Sequence, residues 1–253
     1  MSQKPVIDPM AAERRRSLII KIVATLALVA LAAFIVIVIV VKNKDDSKTG
    51  GSATPTVVTS DGAFRITTAA LGTTPPAVVT AIEDFQCPAC RSFESSYSEV
   101  LAKLAQNPKV AVDYKPIAFL DRMSTDDYSS RAANASMCVA EATAKKGADG
   151  KQDFGIWLKY HNLLYGNQPA EGGAGLTNDK LFSLAKEAGA SGVKDCINNG
   201  QFDKWVKSQT AKVTSGDFQG TPTVLINGTQ YQVPQQPDPA GFEAQVLAAA
   251  EKK

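Results

Sequence analysis

The longest apolar run in the chain, residues 22–41, holds 20 residues without a charge, the length that carries a helix across a hydrocarbon core. Five basic residues precede it (Lys4, Arg14, Arg15, Arg16, Lys21) and three follow closely (Lys42, Lys44, Lys48). The positive-inside rule therefore puts residues 1–21 in the cytoplasm and the bulk of the chain outside. A cleavable signal is the competing reading, but its apolar region is shorter and ends at a small-x-small site, which residues 38–43 do not offer. The run predicts a single-pass membrane anchor. Residues 42–61 are rich in Lys, Asp, Ser, Thr and Gly, with no apolar period before Val57-Val58, and read as a flexible tether.

From residue 62 the pattern changes. Strands are predicted over 64–68 and 77–83, with a turn at Pro75-Pro76 between them. Phe93, Tyr97, Val100, Leu101 and Leu104 recur at helical spacing and predict a helix over 90–105, followed by a strand over 110–117. A strand, helix, strand order implies a parallel pair with a right-handed crossover. Between about 122 and 215 the period becomes helical throughout, with helices predicted over 129–145, 154–165, 178–188 and 203–213. The break Gly172-Gly173-Ala174-Gly175 lacks the Gly-Lys-Ser/Thr ending and preceding strand of a phosphate loop, so it reads as a linker. Asn227-Gly228 between two short apolar runs, 224–226 and 231–233, is a hairpin signal, and a helix is predicted over 239–250. The whole describes an α/β domain over 62–253 with an all-helical insertion at about 122–215.

A 44% apolar composition suits one sizeable domain, and a formal charge of +2 from dispersed residues gives no reason to expect a nucleic-acid partner. The chemistry concentrates in Cys87-Pro88-Ala89-Cys90, which follows a buried strand and opens a helix. There the unpaired N–H groups of the first turn and the helix dipole stabilise an exposed Cys87 thiolate. Pro88 sacrifices no hydrogen bond, and Cys90, one turn inside, is the resolving thiol. Haem attachment needs His after the second Cys, where this chain has Arg91. His161 is the only histidine; with no second Cys-x-x-Cys or His-x3-His spacing it reads as a packing or surface residue, and no metal site is expected. Cys138 and Cys196, 58 apart in the helical block, are either a second redox pair or a structural bridge; an oxidising compartment favours the bridge.

Asp84-Phe85-Gln86-Cys87-Pro88-Ala89-Cys90 and, 132 positions beyond Cys90, Thr221-Pro222 together resemble the thioredoxin-fold oxidoreductases, and among them the DsbA-like family with a helical insert, in its membrane-anchored actinobacterial form. The resemblance implies a cis Pro222 beside the active-site sulfurs and a Thr221 backbone that pairs with extended substrate. It implies no cofactor. Its expected partners are exported cysteine-containing proteins and an integral-membrane, quinone-linked thiol oxidase of the DsbB or vitamin-K-epoxide-reductase-like kind. Where the family often has a buried acid six residues before the first cysteine, this chain has Ala81, with Glu83 and Asp84 nearer in sequence; this leans toward substrate oxidation. The expected activity is disulfide introduction outside the cytoplasm. The rivals are a reductase or isomerase of the same fold and a non-enzymatic module that holds Cu or Zn on Cys87 and Cys90.

Overall fold

The computed structural model describes residues 50–70, 72–144 and 153–252. The expected cytoplasmic segment at 1–21 and anchor at 22–41 lie outside these residues; among the described residues no helix is long and apolar enough to cross a membrane.

Five strands form one sheet: β1 (Phe64–Ile66), β2 (Ala77–Glu83), β3 (Val110–Pro116), β4 (Thr223–Ile226) and β5 (Thr229–Tyr231), in the order β1-β3-β2-β4-β5. The central strand β2 pairs in parallel with β3 and antiparallel with β4, and Ala77, Val79 and Ala81 are fully buried. Helix α1 (Pro88–Ala105) makes the crossover between β2 and β3. Its apolar face, Phe93, Tyr97, Val100, Leu101 and Leu104, is buried, and Tyr97 meets Phe242 of the last helix, α7 (Pro239–Glu251), ring to ring at 5.5 Å.

The insertion holds α2 (Tyr128–Thr143), α3 (Gly155–Gly166), α4 (Asn178–Ala188), α5 (Lys194–Asn198) and α6 (Asp203–Thr214). Small residues let α2 run through the middle of this block: Ala132, Ala133, Ala135 and Ala140 are fully buried. Helix α4 starts where the Thr177 side chain accepts from Lys180 N–H and ends at Gly189, whose φ of 110° suits glycine. Trp157 of α3 joins the block to the sheet. Its ring packs on Phe64 and Tyr114 at 4.7 and 5.0 Å, residues that face each other across the β1–β3 ladder.

Several boundaries differ from the sequence expectation for local reasons. Strand β1 ends at Ile66, not at 68, because the Thr67 and Thr68 hydroxyls take over by donating to the Val110 and Gln106 carbonyls. Strand β5 begins at Thr229, two residues early: Asn227 and Gly228 have φ of 50° and 80°, a two-residue turn of the I′ kind that starts the ladder at once. Helix α5 has no counterpart in the sequence pattern, because five residues are too few to display a period. Residues 50–61, read as part of the tether, are held on the domain. Gly51 and Gly200 share a backbone hydrogen bond, Thr56 bonds Glu141 through N–H and hydroxyl, and Val58 bridges Phe64. Composition had marked this stretch as solvated, whereas its bonds reach partners far along the chain.

Candidate active site

Cys87 is the N-cap of α1 (φ −75°, ψ 118°) and Pro88 begins the first turn. The site thus lies where β2 hands over to the helix. Cys87 and Cys90 are free thiols, and their environments push them apart. A hydrogen bond from Cys90 lowers Cys87 to about 6 against the opposing effect of burial; Thr221 and the backbone N–H groups of Cys90 and Ala89 add to the lowering. Burial, then the bond to Cys87 and the charge of Glu83, hold Cys90 well above the usual thiol range. One sulfur is therefore a thiolate at neutral pH and the other a thiol. Pro88 and Ala89 are exposed at the surface, but Cys87, expected to be exposed, retains only 7% exposure, and Cys90 none. The cover over Cys87 is the loop before β4.

That loop carries the cis Thr221–Pro222 bond. The Thr221 carbonyl lies 3.3 Å from Cys87 Sγ and accepts from it when Cys87 is a protonated thiol. Gln168, just beyond α3, donates from Nε2 to the carbonyls of Phe85 and Cys87 at 3.0 and 2.9 Å. Asp84 fixes the other side. Its Oδ1 accepts from Gln86 N–H and the Ser129 hydroxyl, at 2.8 and 2.6 Å, and its Oδ2 from Leu120 N–H at 2.8 Å. The turn that presents Cys87 is thus held from α2, from the loop after β3 and from the end of α3.

Beneath the cysteines three ionisable side chains face one another out of solvent. Glu83, Glu94 and His161 each offer a ligand atom within 4.8 Å of the others. His161 Nε2 is 3.2 Å from Glu83 Oε2, and Phe85, Tyr114, Trp157 and Tyr165 surround the imidazole at 4.8 to 5.5 Å between ring centres. Burial, with the charge of Cys87 added, raises Glu83 to about 8, and burial lowers His161. The surface alternative for His161 is therefore excluded. Among the described residues these three are the group whose donors lie close enough to share a cation.

The Glu83 carboxyl sits near 4.5 when solvated and about 8 when folded, so the folded state binds its proton more tightly. That stabilisation is complete below about pH 4.5 and is lost as pH rises through about 8. Glu83→Gln is expected to flatten the fall in Tm of the reduced protein between about pH 5 and pH 9. Thermal unfolding across that range checks it, and an unchanged fall would count against the assignment.

Of the residues singled out in the sequence, Cys87, Cys90, Thr221 and Pro222 come together at one place, with Pro88 and Ala89 on its rim. Cys138 and Cys196 form a disulfide within the insertion, joining α2 to α5 across 5.9 Å between Cα atoms. Gln168, Glu94 and His161 carry no motif. Only Glu94 left a trace, as an acid at a buried helical position four residues after Cys90.

Residues 65–245 match the family described as Thioredoxin. Oxidised DsbA of Mycobacterium tuberculosis is similar at 36% identity and a TM-score of 0.62, over 74% of this chain and 92% of that one. Reduced DsbG from the same organism is similar at 34% and 0.61, over 77% and 95%. The MdbA thiol-disulfide oxidoreductase of Corynebacterium diphtheriae, at 23% identity and a TM-score of 0.56 over 81% and 97%, shares the fold. Among curated proteins the serine/threonine-protein kinase PknE of M. tuberculosis matches at 32% identity over 130 residues, 49% of this chain. The chain spans about a fifth (21%) of the length of that relative.

Proposed function

The chain belongs to the thioredoxin family, in its DsbA-like branch, and on that premise we propose that it is a membrane-tethered thiol–disulfide oxidoreductase that introduces disulfides into exported proteins through Cys87 and Cys90. The observation that carries this reading is the placement of two free thiols at the start of α1, Cys87 as its N-cap beside the Thr221 carbonyl and Cys90 fully buried one turn in, which lowers Cys87 to about 6 and raises Cys90. A stabilised Cys87 thiolate favours the reduced enzyme, which makes its disulfide a strong oxidant. A substrate thiolate attacks Cys87, the electron pair of the broken S–S bond leaves on Cys90, and Cys90 takes a proton. A second substrate thiolate then attacks the substrate sulfur of the mixed disulfide. The substrate leaves with a new S–S bond, and Cys87 leaves as a thiolate.

The extracytoplasmic location is supported by the charge balance around residues 22–41 and by the Cys138–Cys196 bridge, since structural disulfides persist in oxidising compartments. Resemblance to the DsbA-like enzymes supports re-oxidation by a quinone-linked membrane thiol oxidase. Resemblance to the DsbA-like enzymes also supports pairing of an extended substrate backbone with Thr221; Phe119, after β3, and Phe218, before β4, meet ring to ring at 5.0 Å. One observation favours a reductase of the same fold: Glu83 supplies a buried acid near the dithiol although Ala81 occupies the family's usual position for one.

Equilibration with glutathione decides between them. The oxidase reading expects a Cys87–Cys90 potential well above about −270 mV, the thioredoxin value. A potential at or below that figure would transfer the assignment to the reductase.

A further inference from the structure

Glu83 Oε1, both carboxyl oxygens of Glu94 and His161 Nδ1 are buried without a hydrogen-bond partner. Glu83 comes from the end of β2, Glu94 from α1 and His161 from α3 of the insertion, and none of the three is more than 3% exposed. Buried polar atoms are almost always satisfied, so orphans gathered from three elements point to a ligand that the polypeptide does not itself supply. No lysine or arginine among the described residues forms an ion pair with either glutamate. What the cluster lacks is positive charge.

The spacing within the cluster is that of ligands around an ion. His161 Nδ1 lies 3.6 Å from Glu94 Oε2, close but without a hydrogen bond between them. A nitrogen and an oxygen bound at about 2.0–2.1 Å to one zinc ion, at tetrahedral or slightly wider angles, sit roughly 3.3–3.6 Å apart and point at the ion, not at each other. The other ring nitrogen, Nε2, hydrogen-bonds Glu83 Oε2 at 3.2 Å. When Nε2 carries the proton and donates to Glu83, the lone pair is left on Nδ1, the carboxylate–histidine arrangement that supports a ligating imidazole. Burial favours the neutral ring, the form that ligates. An incoming cation displaces the proton that Glu83 otherwise keeps up to about pH 8. Two carboxylates and a neutral imidazole then balance one divalent charge, and an oxygen and nitrogen set without thiolate suits zinc better than Cu(I).

We propose that Glu83, Glu94 and His161 form a binding site for one divalent cation of zinc's class, with His161 Nδ1 and the Glu94 carboxylate as ligands and Glu83 orienting the imidazole and completing the set. Among the described residues the donors that lie within 4.8 Å of one another are these three, and neither Cys87 nor Cys90 belongs to the group. The site is therefore separate from the dithiol and does not depend on the oxidoreductase reading. No metal-ligand spacing announces it in the sequence, because its members meet only through the fold. The ion would tie β2 and α1 to α3, so its effect falls on the cohesion of the sheet with the insertion.

The test uses the untagged full chain, stripped with a chelator and titrated with zinc and, for its spectrum, with cobalt(II). The wild type is expected to bind one equivalent of zinc with a rise in Tm, since an ion held by the folded state alone stabilises it. The chain has a single histidine, so its ring NMR signals report on His161 alone and should shift on binding. Cobalt should give visible ligand-field bands without a sulfur-to-cobalt charge-transfer band. Glu94→Gln and His161→Gln should each lose the bound equivalent and the rise in Tm. The Cys87→Ser/Cys90→Ser double variant should keep both. Phe85→Leu, which disturbs the packing around the imidazole and removes no donor, should lower the Tm of the metal-free chain and still bind one equivalent. A wild type that binds no zinc, or binds it without moving the His161 signals, overturns the site, whatever the folding of the Gln variants. Binding lost in the double cysteine variant, with a sulfur-to-cobalt band in the wild type, also overturns it and moves the metal to the dithiol. The oxidoreductase reading is judged separately, by the glutathione equilibrium.

Discussion

Cys90→Ser is expected to convert the enzyme into a trap: exported proteins accumulate on it as covalent adducts, visible on a non-reducing gel and released by dithiothreitol. Cys87 remains at the helix start, where it forms the mixed disulfide, but the internal thiol that normally aborts it is gone. Cys87→Ser should trap none, because Cys90 is fully buried and held as a thiol. The contrast between the two variants is all-or-none, which makes it the most decisive measurement on the site. Replacing Pro222 should prolong adducts in the wild-type background, since the Thr221 carbonyl and the loop around it lie against Cys87 Sγ. If Cys90→Ser traps nothing while the wild type binds one Cu(I) or Zn tightly, the metal-holding rival takes over the site.

The second large effect concerns the insertion. The Cys138–Cys196 bridge closes a separation of 58 residues, and removing a crosslink over a loop of that size costs about 4 kcal/mol in the chain-entropy model. For a domain of this size that corresponds to a Tm lower by roughly 10 °C. Changing both cysteines to Ala should show this loss by thermal unfolding and retain most substrate oxidation. Unchanged stability with lost turnover would make the pair a second redox centre.

Much of this architecture was legible because its signals are local. The apolar period of α1 lies within one helix and the Asn227-Gly228 turn within two residues. The Cys-x-x-Cys likewise shows itself within four positions. The groups around it do not, because Gln168 reaches Cys87 across 81 positions and His161 meets Glu83 across 78. A lone histidine between a tryptophan and a tyrosine reads as packing material, as His161 in part is; its contact with two acids exists only once three elements have converged. Residues 50–61 depart from the tether expectation for a related reason. Polarity marked residues 50–61 as solvated, yet polar groups such as the Thr56 hydroxyl also satisfy distant partners such as Glu141.

The Asp84 carboxylate and the Gln168 amide, described above as the two holds on the cysteine turn, also decide which side adapts during an encounter. Swinging the insertion away would take the Ser129 hydroxyl from the buried Asp84 carboxyl and leave the Phe85 and Cys87 carbonyls without the Gln168 donor, at a cost of several kcal/mol. The receptor therefore stays rigid, and the incoming polypeptide must offer a slack, extended stretch around its cysteine. A chain still emerging or not yet collapsed has such a stretch; a finished globule does not. Under the proposed function, timing then becomes a form of selectivity: substrates would be chosen less by sequence than by how far their own folding has advanced when they arrive.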